Sequence, residues 1–163
     1  MSKPFRIGYG EDIHRLGPNR KLILAGVEIP YELGLIGHSD ADVVFHAVSD
    51  ALLGALSLGD IGKYFPPNDP RFDDYDSSLI LRDCYAMVTQ KGYRLGNLDV
   101  AILCEKPHLS AYAPQMRSNL ARLLSVPEED IGLQLMTNEG LDDIGEGKAI
   151  RATTVLLLER NEQ

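Results

Sequence analysis

Apolar residues change their spacing several times along this chain, and each change marks an element. Residues 5–9 read as a short strand, and residues 21–24 as a second strand followed by a turn at Ala25-Gly26-Val27. Val44, Val48, Ala51, Leu52 and Ala55 then recur near helical spacing, which predicts a helix over 39–58. Ser39 suits its N-cap, Asp42 falls in the capping-box position, and Gly59 closes it. Residues 62–70 carry Pro66, Pro67 and Pro70 and are expected as loop. Further helices are expected over 77–91, ended by Gly92, and over 114–124, with Met116, Leu120 and Leu123 on one side. Strands are expected over 97–104, apolar enough for burial on both faces, over 131–136, and over 149–159, the longest and most β-branched. No repeat or linker divides the chain. The expectation is therefore one α+β domain over 1–163, of the α/β sandwich type, with a mixed sheet and helices packed on one face.

A chain of 163 residues can bury a sizeable core, and its 44% hydrophobic and 25% charged residues are ordinary for a folded protein. No apolar run approaches the roughly 20 residues of a membrane span, and the opening MSKPFRIGYGED lacks a secretory signal, so a cytosolic location is expected. The net charge of -8 argues against nonspecific nucleic-acid binding, which needs clustered Lys and Arg. The acidity is concentrated. Asp40, Asp42, Asp50, Asp60, Asp69, Asp73, Asp74 and Asp76 stand against only Lys63 and Arg71 in that stretch. Such a run reads as a solvated surface, or as a region that receives an anionic substrate through metal ions. Cys84 and Cys104 have no CxxC spacing and lie in apolar segments, so they read as reduced core residues without chemistry.

Asp12 and His14 lie two apart, on one side of an extended chain, and supply two of the three ligands of a common metal site. Asp42, His46 and Asp50 are spaced by four and share a helix face, where three polar groups need partners if buried. An isolated DxH ordinarily binds nothing, and a lone His on an apolar helix is ordinarily a hydrogen-bonded core residue. The polar stripe is what favours a metal. An Asp/His/His set leaves a position open for a substrate oxygen, as at a catalytic zinc that acts as a Lewis acid. The same set accepts ferrous iron, cobalt or manganese. A ferrous oxygenase with a facial triad is thus a rival reading, though the third ligand falls on a helix and the chain lacks the strands of an all-β barrel. Gly37-His38-Ser39-Asp40 precedes the helix, where free N–H groups favour phosphate; it also reads simply as a capped helix. Asp60-Ile61-Gly62 and the proline-rich segment after it read as a lid or as a plain connection.

Several blocks carry a family resemblance. Gly10-Glu11-Asp12-Ile13-His14, His38-Ser39-Asp40-Ala41-Asp42, the run from His46 through Asp50 to Ala55, and Leu58-Gly59-Asp60-Ile61-Gly62-Lys63 resemble the 2-C-methyl-D-erythritol 2,4-cyclodiphosphate synthase family in order and spacing. Lys91-Gly92-Tyr93, Gly96-Asn97-Leu98-Asp99 and Pro114-Gln115-Met116-Arg117 add shorter matches. The resemblance implies an enzyme of non-mevalonate isoprenoid biosynthesis. The substrate that the resemblance implies is 4-diphosphocytidyl-2-C-methyl-D-erythritol 2-phosphate, a small cytidine diphosphate-linked molecule that cyclises with release of CMP. It further implies a homotrimer with sites between subunits, zinc on one side, and magnesium or manganese bridging the diphosphate.

By position, Asp12, His14 and His46 match the zinc ligands and Glu139 the ligand of the second metal. His38 and Thr137 match positions that stabilise the transition state, and the backbone at His38-Ser39 matches a phosphate contact. Asp60, Ile61 and Gly62 match sugar-alcohol contacts, with Phe65 and Asp69 in the loop beside them. Cys104, Pro107, His108, Leu109 and Ser110, with Leu135, Met136 and Thr137, match the cytidine pocket. Asp50 resembles a partner that orients a ligand. The chain departs from the family after Glu139. Glu146 stands where many members carry a phosphate-reaching Arg, His108 where many carry Lys, and Pro67 where Asp is commoner. These departures leave an alternative open, a trimeric protein that binds cytidine nucleotide and metal without turnover.

Overall fold

Strand β1 (Phe5–Gly17) starts where the apolar pattern places it and continues well past the expected end, carrying Asp12 and His14 into the sheet. In the computed structural model, which describes residues 3–161, the polar half of β1 persists as strand because its backbone is paired along its length, with residues 149–159 on one edge as far as Arg15 and with residues 34–36 on the other edge from Arg15 to Gly17. A tight hairpin follows, β2 (Leu22–Leu24) and β3 (Val27–Ile29), turned by Ala25 and Gly26 at φ 48° and 73°. That left-handed pair is the geometry of a two-residue hairpin turn. Strand β4 (Gly34–Ile36), too short to leave a periodic signal, pairs with the far end of β1.

Helix α1 (Val43–Ala55) is shorter than the expected 39–58. Its N-cap is Asp42, whose carboxylate accepts the Val44 and Phe45 N–H groups at 3.1 and 3.2 Å; Ser39 is not the cap. Ala41 sits at φ 60° and breaks the chain away from helical geometry just before Asp42, while Ser57 at φ 58° does so at the other end. The 62–70 segment is not wholly loop. It starts within a single turn, α2 (Ile61–Tyr64), and leads into a 3₁₀ turn at Pro70–Phe72.

Helix α3 (Ser77–Gln90) is followed by Gly92 at φ 78°, and α4 (Ala113–Leu123) lies within one residue of its expected bounds. Strand β5 (Tyr93–Leu103) is buried on one face only, which corrects the expectation of burial on both. Tyr93, Leu95, Leu98, Val100 and Ile102 point inward while Arg94, Asn97 and Asp99 are exposed, because the helices cover a single side of the sheet. β6 (Ile131–Met136), the short α5 (Asp142–Gly145) and β7 (Ala149–Arg160) complete the chain; β1, not β7, is the longest strand.

The five main strands lie in the order β4-β1-β7-β5-β6, and β5 with β6 is the parallel pair among antiparallel neighbours. The mixed sheet with helices against one face is thus as expected. The core lies between them, with Phe45, Leu52, Leu81, Leu98, Ile102, Met116 and Leu120 fully enclosed. α1 presses onto β1 at Gly8 and Gly10. A Cβ there would stand 2.0 Å from the Ala51 carbonyl oxygen and 2.1 Å from that of Ala47, so only glycine permits this approach. The opposite face of the sheet is open, and Phe5, Ile7, Tyr9, Ile13 and Val155 stand exposed on it or along its length. Among the described residues no helix is long and apolar enough to cross a membrane.

Candidate metal centre

Asp12 and His14 alternate to the same side of β1, and His46 descends onto them from the second turn of α1. The Asp12 Oδ2 lies 3.0 Å from His14 Nε2 and 2.8 Å from His46 Nδ1, and the three ligand atoms fall within 4.8 Å of one another. His14 donates its Nδ1–H to the Ile36 carbonyl at 2.9 Å, which turns its Nε2 toward Asp12 and the site. Gly37 makes room for this ring, since a Cβ there would meet His14 Cε1 at 2.8 Å. Burial alone would raise the Asp12 carboxyl, but hydrogen bonds and charge from His14 and His46 outweigh it and hold the group well below the usual carboxylate range. Burial alone would lower His46, and Asp12 outweighs it in turn, raising the imidazole above its ordinary value. A carboxylate kept ionised between two imidazoles, half-buried at the edge of a cavity, is a donor set that fits a divalent cation.

The helical stripe does not act as one unit. Asp42 is fully buried at the cap, where its two oxygens also accept the Ala25 and Gly26 N–H groups at 3.0 and 2.8 Å. It joins α1 to the β2–β3 turn and takes no part in the cation site. Asp50, expected to orient a ligand, accepts the Ile61 N–H at 2.8 Å and so steadies the start of α2. The ligand rings have other partners. His46 Nε2 lies 2.8 Å from Ser77 Oγ and 3.0 Å from Ser39 Oγ. Burial raises the Asp50 carboxyl, opposed by that N–H.

The phosphate argument from the helix start also needs correction. The first free N–H groups of α1 are already taken by Asp42, and His38-Ser39 lie upstream of it. What holds His38-Ser39 is Arg20, a residue without any local sequence signal. Its guanidinium donates to the Ser39 carbonyl at 2.7 Å, to the Leu35 carbonyl at 3.0 Å and to Asp74 at 2.7 Å. His38 faces the Asp69 carbonyl at 3.1 Å and the Asp73 carboxylate at 3.2 Å. A cavity of about 230 Å³ opens over the triad, lined also by His38, Ser39, Ile61, Gly62, Phe65 and Pro67. Phe72 packs edge to face on both Phe65 and Tyr75 at its rim, with Phe65 and Phe72 centroids 5.3 Å apart. Asp60 and Asp69 lie beside this cavity rather than in its lining.

A second cavity, of about 80 Å³, gathers Cys104, Pro107, His108, Leu109, Ser110, Leu135, Met136 and Thr137. Every residue matched to a cytidine pocket is therefore brought together, at the C-terminal ends of the parallel pair β5 and β6. The Cys104 thiol is pushed up to about 11 by burial and Cys84 to about 12, so neither is a nucleophile. Glu105, which the sequence did not single out, clamps the next turn by accepting the Asn138 and Gly140 N–H groups at 2.7 and 3.3 Å. Glu139 sits on that turn, exposed and at φ 54°. Glu146 pairs with Lys148. The two cavities share no lining residue, so one chain does not bring His38 and Thr137 into one pocket.

The family model described as YgbB matches residues 5–159. The 2-C-methyl-D-erythritol 2,4-cyclodiphosphate synthase of Moorella thermoacetica is 54% identical over 153 residues, covering 94% of each chain. The bifunctional IspDF from Campylobacter jejuni superposes with a TM-score of 0.94 at 36% identity, over 99% of this chain and 44% of that longer one. The IspF of Plasmodium falciparum in complex with CDP superposes at 0.87 with 32% identity, over 99% of this chain and 100% of that one. With the fold and the sequence in agreement over nearly the full length, the chain belongs to the YgbB family, the 2-C-methyl-D-erythritol 2,4-cyclodiphosphate synthases.

Proposed function

We propose that this chain closes 4-diphosphocytidyl-2-C-methyl-D-erythritol 2-phosphate into 2-C-methyl-D-erythritol 2,4-cyclodiphosphate, with Asp12, His14 and His46 holding zinc. The observation that carries this reading is the Asp12 carboxylate set between two imidazoles in a chain of this family. An oxygen of the substrate's 2-phosphate attacks the β-phosphorus, the bond from that phosphorus to the bridging oxygen breaks, and CMP leaves with that oxygen. The substrate brings its own nucleophile, so the protein's task is positioning and charge neutralisation. Zinc, when bound, supplies a Lewis acid that draws charge from a phosphoryl oxygen.

Around that centre the chain's own groups orient the substrate. His38 and the Ser39 backbone face the phosphates, Asp60, Ile61 and Gly62 hold the sugar alcohol, and Phe65 and Asp69 belong to the flanking loop. The Cys104–Ser110 and Leu135–Thr137 segments receive the cytidine, a reading supported by relatives solved with CDP. Thr137 then stabilises charge as the phosphorus is attacked, and Glu139 holds magnesium or manganese. Metal-stripped protein resupplied with zinc and magnesium is expected to release CMP and cyclic product in equal amounts. CDP binding and zinc binding without CMP release would replace the enzyme by a nucleotide-binding protein.

The separate cavities and the open apolar sheet face support a homotrimer in which one copy's metal centre meets a neighbour's cytidine pocket. Sedimentation is expected to return three times the chain mass. Ile7→Glu, at a position 74% exposed, should dissociate the assembly and lower turnover at least tenfold without changing zinc content. A monomeric protein with full turnover would remove this part of the reading.

A further inference from the structure

Ser77, the first residue of α3, is fully buried and touches nothing that the family resemblance assigns except His46 and Ser39. Its hydroxyl has one proton. That proton goes to Asp40, whose Oδ1 accepts it in a short hydrogen bond while Oδ2 accepts the Ser77 N–H at 3.0 Å. Asp40 is itself fixed, because Oδ1 also accepts the Asp42 N–H at 3.1 Å and its own N–H donates to the Tyr75 carbonyl at 3.1 Å. With its proton committed, the Ser77 oxygen has only lone pairs left for His46 Nε2, 2.8 Å away. The imidazole must then carry a proton on Nε2, and the ring atom turned to Asp12 is Nδ1.

We propose that Ser77, with its hydroxyl set by Asp40, is the positioning residue that presents Nδ1 of His46 to the cation. Ser39 is the poorer partner for this task. It lies 3.0 Å from Nε2, lines the substrate cavity, and keeps a hydroxyl proton that no carboxylate claims. The structure thus divides the two serines: Ser77 fixes the ligand ring, while the Ser39 oxygen is held by the Ala41 N–H at 3.2 Å and its hydroxyl lines the cavity. His14 is oriented by a backbone carbonyl. His46 sits on a helix, its ring has only side-chain partners among the described residues, and it uses one delivered from α3. The proposal rests on the metal-centre reading and concerns how that centre is built.

Two readouts test it, neither of them turnover. In zinc-loaded protein labelled with ¹⁵N-histidine, His46 is expected to show a slowly exchanging proton on Nε2. In Ser77→Ala that proton should exchange at least about tenfold faster. Zinc affinity, measured alone by chelator competition, is expected to fall about 10- to 100-fold in Ser77→Ala and in Asp40→Ala, the range typical for groups that orient ligands. Because the two act in series, the double variant should lose no more than the worse single one. Ser77→Thr, which keeps the hydroxyl, should restore most of the affinity, and Ser39→Ala should stay within about threefold of wild type. No Nε2 proton in the zinc-loaded wild type would overturn the proposal, even if no variant folded. So would wild-type affinity in Ser77→Ala, or an equal loss in Ser39→Ala. Wild-type protein that binds zinc no better than Asp12→Ala would instead remove the metal centre itself, and the proposal with it.

Discussion

His46→Ala is expected to lower CMP release by more than about a thousandfold, a loss of about 4 kcal/mol in transition-state stabilisation. The substitution removes one of three ligand atoms that lie within 4.8 Å and leaves Asp12 with a single imidazole beside it. A site reduced to two ligands does not retain a cation against free solution, and the Lewis acid is lost with it. The ring is nearly buried in the wall of the cavity, so its removal also opens space that water fills. Zinc content and turnover should fall together while CDP binding persists, because the cytidine cavity has no residue in common with this one. Retained turnover in a zinc-free variant would show that the chemistry does not pass through this centre.

The largest effect on stability is expected from Asp42→Ala, about 3–5 kcal/mol by urea unfolding. Four backbone N–H groups, of Ala25, Gly26, Val44 and Phe45, converge on this one fully buried carboxylate. Alanine strands all four and uncouples the hairpin turn from the helix start. Asp42→Asn keeps one carbonyl acceptor and should cost less.

The charge gives a second signature. Burial pushes the Asp42 carboxyl up to about 7 against the opposing N–H groups, from an ordinary value of 3.8. The folded state therefore holds this proton more tightly than the unfolded one. Its contribution to stability is complete below about pH 4 and declines as pH rises toward 7. His46, also raised, adds a decline of the same sign at higher pH, so the informative quantity is the difference between wild type and Asp42→Asn. That difference should narrow as pH rises from 4 to 7; a constant difference would mean that Asp42 is ionised throughout.

Asp42 also marks where reading the sequence reached its limit. Its spacing to His46 and Asp50 is helical, and the three were grouped on that ground, yet each hydrogen-bonds to a different part of the chain. Spacing reports which way a side chain leaves its own helix, not what arrives from elsewhere to meet it. The Asp12–His14–His46 group was legible because a strand's period of two and the residue types agree, and because the family pattern covers it. Arg20, Glu105 and Ser77 were not, since each acts on a segment 15 or more residues away and stands in an unremarkable local context. The same reason hid β4, whose three residues exist as a strand only because β1 is there to pair with them. The expected double-sided burial of β5 failed on a related point: apolar content does not reveal that one side of the sheet is left for something other than this chain's helices.

The contact of α1 with β1 at Gly8 and Gly10 sets a gauge. Asp12 rides on the strand and His46 on the helix, and the distance between those backbones is fixed where a carbonyl oxygen rests against a bare Cα. Neither glycine can touch a cation, yet the pair determines how wide a cation the jaws above them will accept. A related chain with any larger residue at either place must carry a wider jaw, and with it a longer side chain or a different ion.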